Sequence, residues 1–259
     1  MRRRQVLATQ QSESSAVNSL QRGLEALRCF RPGDEILGAH EIARRLTIPK
    51  ATTLRLLITL EGAGFLKRLK GSDEFSLYRE CVLIGQAFLS SSSLARKARP
   101  VLQAVADRFH MHVLLCVPEQ RGMLVLLYLR GKAQEPTQLG SGHVLPVGDS
   151  ALGHAWLWTQ PMAVQGEWLT SLREQKPSQI ASVYQSFRDL ENDGVCAVSG
   201  DLSAGAPLMA TPLSLQASSS GAIGCFRGDG RSTTAQSQAE IKVALREAAE
   251  RIGDVLQRR

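Results

Sequence analysis

Residues 40–68 read H-E-I-A-R-R-L-T-I-P-K-A-T-T-L-R-L-L-I-T-L-E-G-A-G-F-L-K-R, and this stretch decides the fold of the first third of the chain. Ile42, Ala43 and Leu46 recur at helical spacing, so Ala39 to Leu46 reads as a short helix. Thr47 falls in a tight turn, and Pro49 stands where a first helical turn tolerates a residue without an N–H. A further helix, Lys50 to Ala63, follows at once and is closed by Gly62 and Gly64. Phe65 to Lys70 and Glu74 to Tyr78, joined by Gly71, Ser72 and Asp73, read as a β-hairpin. Two short helices around a tight turn, with a basic hairpin behind them, make a winged helix-turn-helix. Its second helix suits a DNA major groove about 12 Å wide, and the hairpin suits the neighbouring backbone.

The phase of that second helix sets which residues face DNA. Thr53, Leu56, Leu57 and Leu60 have core spacing, which turns Ala51, Leu54, Arg55, Ile58 and Thr59 outward and leaves Thr52 at the border. A stripe of Leu54, Leu57 and Ile58 fits the periodicity too. In the first phasing Arg55 offers two donors to guanine, Leu54 an apolar surface to a thymine methyl, and Thr52 a bond to a base edge or phosphate, with Lys50 at the phosphates. Charge agrees: Arg44, Arg45, Lys50, Arg55, Lys67, Arg68 and Lys70 face a single acid, Glu61, between residues 44 and 70. Residues 1–80 carry +5 of the net +7, the footprint of a polyanion partner.

Outward from this stretch, Val17, Leu20, Leu24, Leu27 and Phe30 mark an amphipathic helix stopped by Arg31, Pro32 and Gly33. Residues 1–15 are polar and aperiodic, a mobile arm with arginines at 2, 3 and 4. Glu80 to Ser90 reads as a linker helix running into the serine tract 90–93, a hinge. The expected layout is therefore an arm at 1–15, a DNA-binding domain at 16–78, linker and hinge at 79–93, and a second domain at 94–259. In that domain Leu94 to Phe109, Ala151 to Trp158, Ser178 to Glu191 and Ala235 to Leu256 read as helices. Val113 to Val117, Met123 to Arg130, Val195 to Ser199, Pro207 to Leu213 and Gly221 to Phe226 read as strands. The lack of a regular βαβ period favours an α+β antiparallel sheet flanked by helices.

Composition narrows the function. With 43% hydrophobic and 21% charged residues the chain is a globular one, and its longest apolar run, Met123 to Leu129, is far short of a membrane span. No apolar segment follows the N-terminal arginines, so a cytoplasmic protein is expected. Five scattered cysteines without a C-x-x-C pair argue for buried thiols, not disulfides or zinc. His110 and His112 lack a third convergent ligand, and no phosphate-binding G-K-[ST] loop occurs, so neither metal nor cofactor is expected. Gly148 to Gly153 nearly spells the hydrolase elbow G-x-S-x-G, but the closing glycine comes one residue late.

The runs A-V-N-S-L-Q-R-G-L-E-A-L-R-C-F from Ala16, the stretch at 40–68, and E-F-S-L-Y-R-E-C-V-L-I-G resemble the N-terminal domain of the IclR-type transcriptional regulators. L-P-V-G-D-S-A-L-G-H-A-W-L, A-P-L-M-A-T-P-L and G-A-I-G-C-F are similar to that family's L-P-L-H-A-T-A-x-G-K-A-L-L, R-C-I-A-x-P-V and A-I-S-V-S segments, so the resemblance runs over about residues 16–257. It implies a DNA-binding regulator acting as a dimer or dimer of dimers, with Ala51, Thr52 and Arg55 facing the operator, Lys67 and Arg68 on the wing, and Arg22 supporting the backbone contact. Ala51 replaces the family's usual serine. The resemblance also implies a GAF-like C-terminal domain that binds a small effector, commonly an aromatic or short organic acid. Ser141 and Gly142 would allow close approach, Asp149 would be the helix cap or its neighbour, and Ser150 and Ala151 would present amides to a carboxylate. Asp201, Leu208, Gly224 and Phe226 would complete the lining. Here Gly148, His154, Leu208, Gly224 and Phe226 replace the family's histidine, lysine, cysteine and two serines, so polar partners are lost and a more apolar effector, or none, is implied. The alternative is a GAF-like sensor or serine-dependent hydrolase carrying a vestigial helix-turn-helix.

Overall fold

The computed structural model describes residues 18–31, 33–120, 122–132, 137, 139–199, 207–215, 220–229 and 234–257. The arm at 1–15 and Asp201 lie outside them. Two compact units divide between Leu89 and Ser90. No helix among the described residues is long and apolar enough to cross a membrane.

The first unit builds its helix-turn-helix as the apolar spacing dictates. Helix α1 covers 18–28, α2 Ala39–Leu46 and α3 Lys50–Gly62. Thr47 ends α2 in the left-handed region at φ 56°, a conformation costing a β-branched residue about 1–2 kcal/mol. The turn then places Pro49 at the α3 cap, one position outside the first helical turn. Strands β2 (Leu66–Arg68) and β3 (Glu74–Leu77) form the wing. The hairpin gains a third strand, β1 (Leu37–Gly38), which pairs antiparallel with β3, Leu37 opposite Phe75. Ala26, Phe30, Leu37, Ile42, Leu57, Leu66 and Phe75 form one core, so α1, α2, α3 and the wing share a single apolar centre. Helix α4 (Arg79–Ser91) runs across the divide.

Among the described residues the second unit holds an antiparallel sheet of six strands in the order β6-β5-β4-β9-β8-β7. Its strands are β4 (His112–Glu119), β5 (Gly122–Arg130), β6 (Val144–Leu145), β7 (Cys196–Ser199), β8 (Pro207–Ser214) and β9 (Ser220–Phe226). Helices α5 (Ser93–Phe109) and α9 (Ala235–Gln257) pack on each other and on the sheet. Helices α6 (Ala151–Trp158) and α8 (Ile180–Asp193) cover the face bearing Leu114, Cys116, Ala210, Ala222 and Phe226. Between them runs α7 (Met162–Gln175), for which no expectation existed, followed by a 3-10 turn at Pro177–Gln179. His110 caps α5 in the left-handed region and is exposed, whereas His112 is buried in β4. His110 thus lies outside the strand that holds His112, and no metal-binding cluster exists among the described residues.

Candidate nucleic-acid interface and effector site

Helix α3 buries Thr53 and Leu57 completely, and the Thr53 hydroxyl donates to the Pro49 carbonyl at 3.2 Å. Leu54 and Leu60 flank this seam and pack on the core, while Leu56 is half-buried outside it. The phasing is thus rotated from the first expected stripe. Leu54 is spent on packing and is a poor candidate for a thymine methyl. Ile58, exposed at 47%, takes the apolar place on the outer face. Ala51, Arg55 and Thr59 are exposed on α3, and Thr52 lies at the border. The Thr59 hydroxyl donates back to the Arg55 carbonyl at 2.9 Å, which occupies its proton within the helix.

The cations divide into engaged and unengaged groups. Arg44 and Arg45 both bond Glu41, and Arg45 also reaches Asp34 and the Cys29 carbonyl, tying the end of α1 to α2. Those hydrogen bonds, Arg44's first and then Arg45's, pull the Glu41 carboxyl down to about 2. Much of the charge run is therefore structural glue. Arg68 donates to the Ser72 carbonyl at 2.8 Å and to Asp73 at 2.5 Å, with its guanidinium 5.9 Å above the Phe75 ring. Lys50 pairs with the same Asp73 at 3.4 Å. Arg22, Arg55, Lys67 and Lys70 have no ion pair among the described residues, and Arg55, Lys67 and Lys70 are exposed.

In the second unit the start of α6 is capped by Ser150, not Asp149. Its buried hydroxyl donates to the Pro146 carbonyl at 2.9 Å and accepts from the Gly153 amide at 3.1 Å. Both hydrogen-bonding roles are filled by backbone groups, which is the arrangement of a helix cap, and no imidazole among the described residues bonds it. The nearest histidine in sequence, His154, is buried elsewhere: one ring nitrogen meets Ser186 Oγ at 2.8 Å and the other the Gly148 carbonyl at 2.9 Å. Asp149 instead pairs with Lys176 at 2.5 Å. Two acceptors at this turn, Asp149 Oδ1 and Gln179 Oε1, are buried without a hydrogen-bond partner among the described residues. Gly148 permits that approach, since a Cβ there would stand 3.3 Å from Gln179 Oε1 and 2.5 Å from Leu172 Cδ1.

Ala151, Leu208 and Phe226 come together in the core under α6. Gly224 lies on the same face, where a Cβ would meet the Met209 carbonyl at 2.7 Å, Leu152 Cδ2 at 3.2 Å and the Ala210 Cβ at 3.3 Å. Leu152 thus packs where the family's serine would project. Ser141 and Gly142 are not drawn in: they form an exposed turn held to β5 by the Gly142 amide and the Val125 carbonyl, 2.9 Å. All five cysteines are free thiols. Burial pushes Cys196 and Cys225 up to about 12, which keeps both unreactive. Arg227 pairs with Asp229 two residues away, within the turn that follows β9.

Comparison with known proteins agrees with this fold. Residues 19–70 match the IclR helix-turn-helix domain. The chain is 30% identical over 168 residues to the HTH-type transcriptional regulator TsaQ1/TsaQ2 of Comamonas testosteroni, a match spanning 64% of this chain and 60% of that relative's length. An IclR family transcriptional regulator from Brucella abortus superposes with a TM-score of 0.76 over 92% of both chains at 27% identity. An IclR homolog from Microbacterium hydrocarbonoxydans, solved with 4-hydroxybenzoate, shares the fold with a TM-score of 0.72 over 92% of this chain and 99% of that one, at 23% identity.

Proposed function

We propose, from the premise that this chain belongs to the IclR-type family of transcriptional regulators, that it binds an operator through α3 and the wing and adjusts that binding to a small organic effector. The observation that carries the DNA reading is the outer face of α3, where Ala51, Arg55 and Ile58 are exposed beside a wing bearing exposed Lys67 and Lys70. A helix so presented reads bases while the wing contacts phosphates. Selection from random duplexes by the purified protein tests it. Enrichment of one recurring half-site supports operator recognition, and a library left unenriched overturns it.

The effector reading rests on the turn at 148–151. Asp149 Oδ1 and Gln179 Oε1 are acceptors in need of donors, so the ligand class they favour carries a hydroxyl or amide N–H on an apolar body, because the sheet face behind is apolar. Since a fold relative was solved with 4-hydroxybenzoate, that acid and benzoate are suitable paired probes. A ligand at one hundred times its Kd stabilises by about 2.7 kcal/mol. A melting rise with 4-hydroxybenzoate that benzoate does not reproduce supports the class; equal response to both, or none, contradicts it.

A further inference from the structure

Loop 69–73 of the wing returns to the starts of two helices at one residue. The Asp73 carbonyl accepts from Ala39 N–H, the first residue of α2, at 2.8 Å. Its carboxylate lies 3.4 Å from Lys50, the first residue of α3, and 2.5 Å from Arg68 of β2. Neither helix has a side-chain cap: Gly38 and Pro49 occupy the cap positions, so no side chain answers the first amides there. Two cations beside helix starts that lack a side-chain cap are the partners a phosphate takes. In the free protein an acid of this same chain stands among them. Lys50 and Arg68 hold its carboxyl below the ordinary carboxylate value, so it is ionised at neutral pH.

We propose that the Asp73 carboxylate occupies the place of a backbone phosphate in the free protein, holding Lys50 and Arg68 and yielding them as DNA arrives, so that it restrains affinity for DNA of every sequence. The inference rests on the DNA-binding reading above. Its chemistry is competition between two anions for the same donors. All three side chains are substantially exposed, at 55% for Lys50, 39% for Asp73 and 37% for Arg68, so exchange needs no unfolding. For the same reason solvent screens the pair and the restraint is modest. The role also differs from that of Arg45, whose guanidinium binds Glu41 and Asp34 to hold α2 against α1.

Asp73→Asn removes the charge and keeps the shape. Titrated by fluorescence anisotropy, it should bind its native upstream fragment and a shuffled duplex alike about three- to tenfold tighter at low salt, with the salt slope steeper by about one unit. Lys50→Ala should then weaken binding more in the Asp73→Asn background than in the parent, because Lys50 is no longer shared. Asp73→Ser is a second neutral variant read the same way, and melting curves check that each folds. If Asp73 is only a strut for the wing, neutral variants bind no tighter and Lys50→Ala costs less in their background, and either result overturns the proposal. If parent and variants alike bind no DNA, the DNA-binding reading falls and takes this inference with it.

Discussion

Putting a side chain at Gly224 asks whether the sheet face under α6 is filled or open. Gly224→Ala places a Cβ 2.7 Å from the Met209 carbonyl and 3.2 Å from Leu152 Cδ2. The carbonyl cannot retreat cheaply, because Met209 sits in β8 between β7 and β9, opposite Ala197 and Cys225. Overpacking of this kind costs about 1–3 kcal/mol, offset by about 0.4–1 kcal/mol from the stiffer unfolded chain. Gly224→Ser restores the family's residue and adds a hydroxyl amid Leu152, Ala210 and Met209, for about 1–3 kcal/mol more if no acceptor is reached. We therefore expect Ala to lose about 1–2 kcal/mol and Ser about 3 kcal/mol, the latter a fall of about 6–12 °C for a unit of this size. Thermal unfolding followed by circular dichroism reads both. A Ser variant within about 2 °C of the parent would refute the reasoning, since it would mean that the face has room and that the family's polar pocket is still open here.

Four further outcomes are expected. Arg55→Ala should cost about 1–3 kcal/mol at one operator position and relax base preference there, as read by selection from random duplexes; an unchanged consensus would remove Arg55 from the reading surface. Ser150→Ala should lower the stability of the C-terminal unit by about 1 kcal/mol through the missing cap, and ester substrates should be hydrolysed no faster by the parent than by this variant. Thr47→Gly relieves a left-handed β-branched residue and should raise the melting temperature of the first unit, by about 1 kcal/mol in stability at most once glycine's extra unfolded-state entropy is set against it; a lower melting temperature would show that the threonine side chain holds the turn. Burial holds the His154 imidazole below its ordinary 6.5, although the Gly148 carbonyl and Asp149 act the other way. The folded state therefore takes up a proton less readily than the unfolded chain, so this contribution to stability is complete above pH 6.5 and lost as pH falls below it. His154→Gln should flatten that acid limb in melting curves, and an unchanged limb would assign it to other groups.

How much of this was legible depended on whether the local pattern matched the packing. Ala39–Leu46 and Ala151–Trp158 start and stop where their apolar spacing and flanking residues say they should. Helix α7 was not legible, because it buries no residue fully, carries Gly166 in its middle, and shows the core only a partial stripe in Trp168, Leu169 and Leu172. That stripe, one apart and then three, was the available signal. Strand β1 is two residues long and exists only through pairing with β3, which no local pattern reports. On α3 Leu54, Leu56, Leu57, Ile58 and Leu60 make an apolar arc so wide that periodicity alone could not rotate it correctly, and the core of the unit decides in favour of Leu54. The sequence offers Asp149 as the cap of α6 or its neighbour, and the Gly153 amide makes it the neighbour by selecting Ser150 as the cap. The engagement of Lys50 by Asp73 depends on how the wing folds back onto the start of α3, and Arg68 joins it from within the same hairpin.

The central claim is that the exposed face of α3 and the wing read DNA. Its most direct test is a fluorescence-anisotropy titration of the purified protein against a duplex from upstream of its own gene and a shuffled control, at two salt concentrations with excess competitor. The account predicts tighter binding to the native fragment, weakening steeply with salt as the wing lysines release counterions. Equal binding to both duplexes, or none to either, would contradict it.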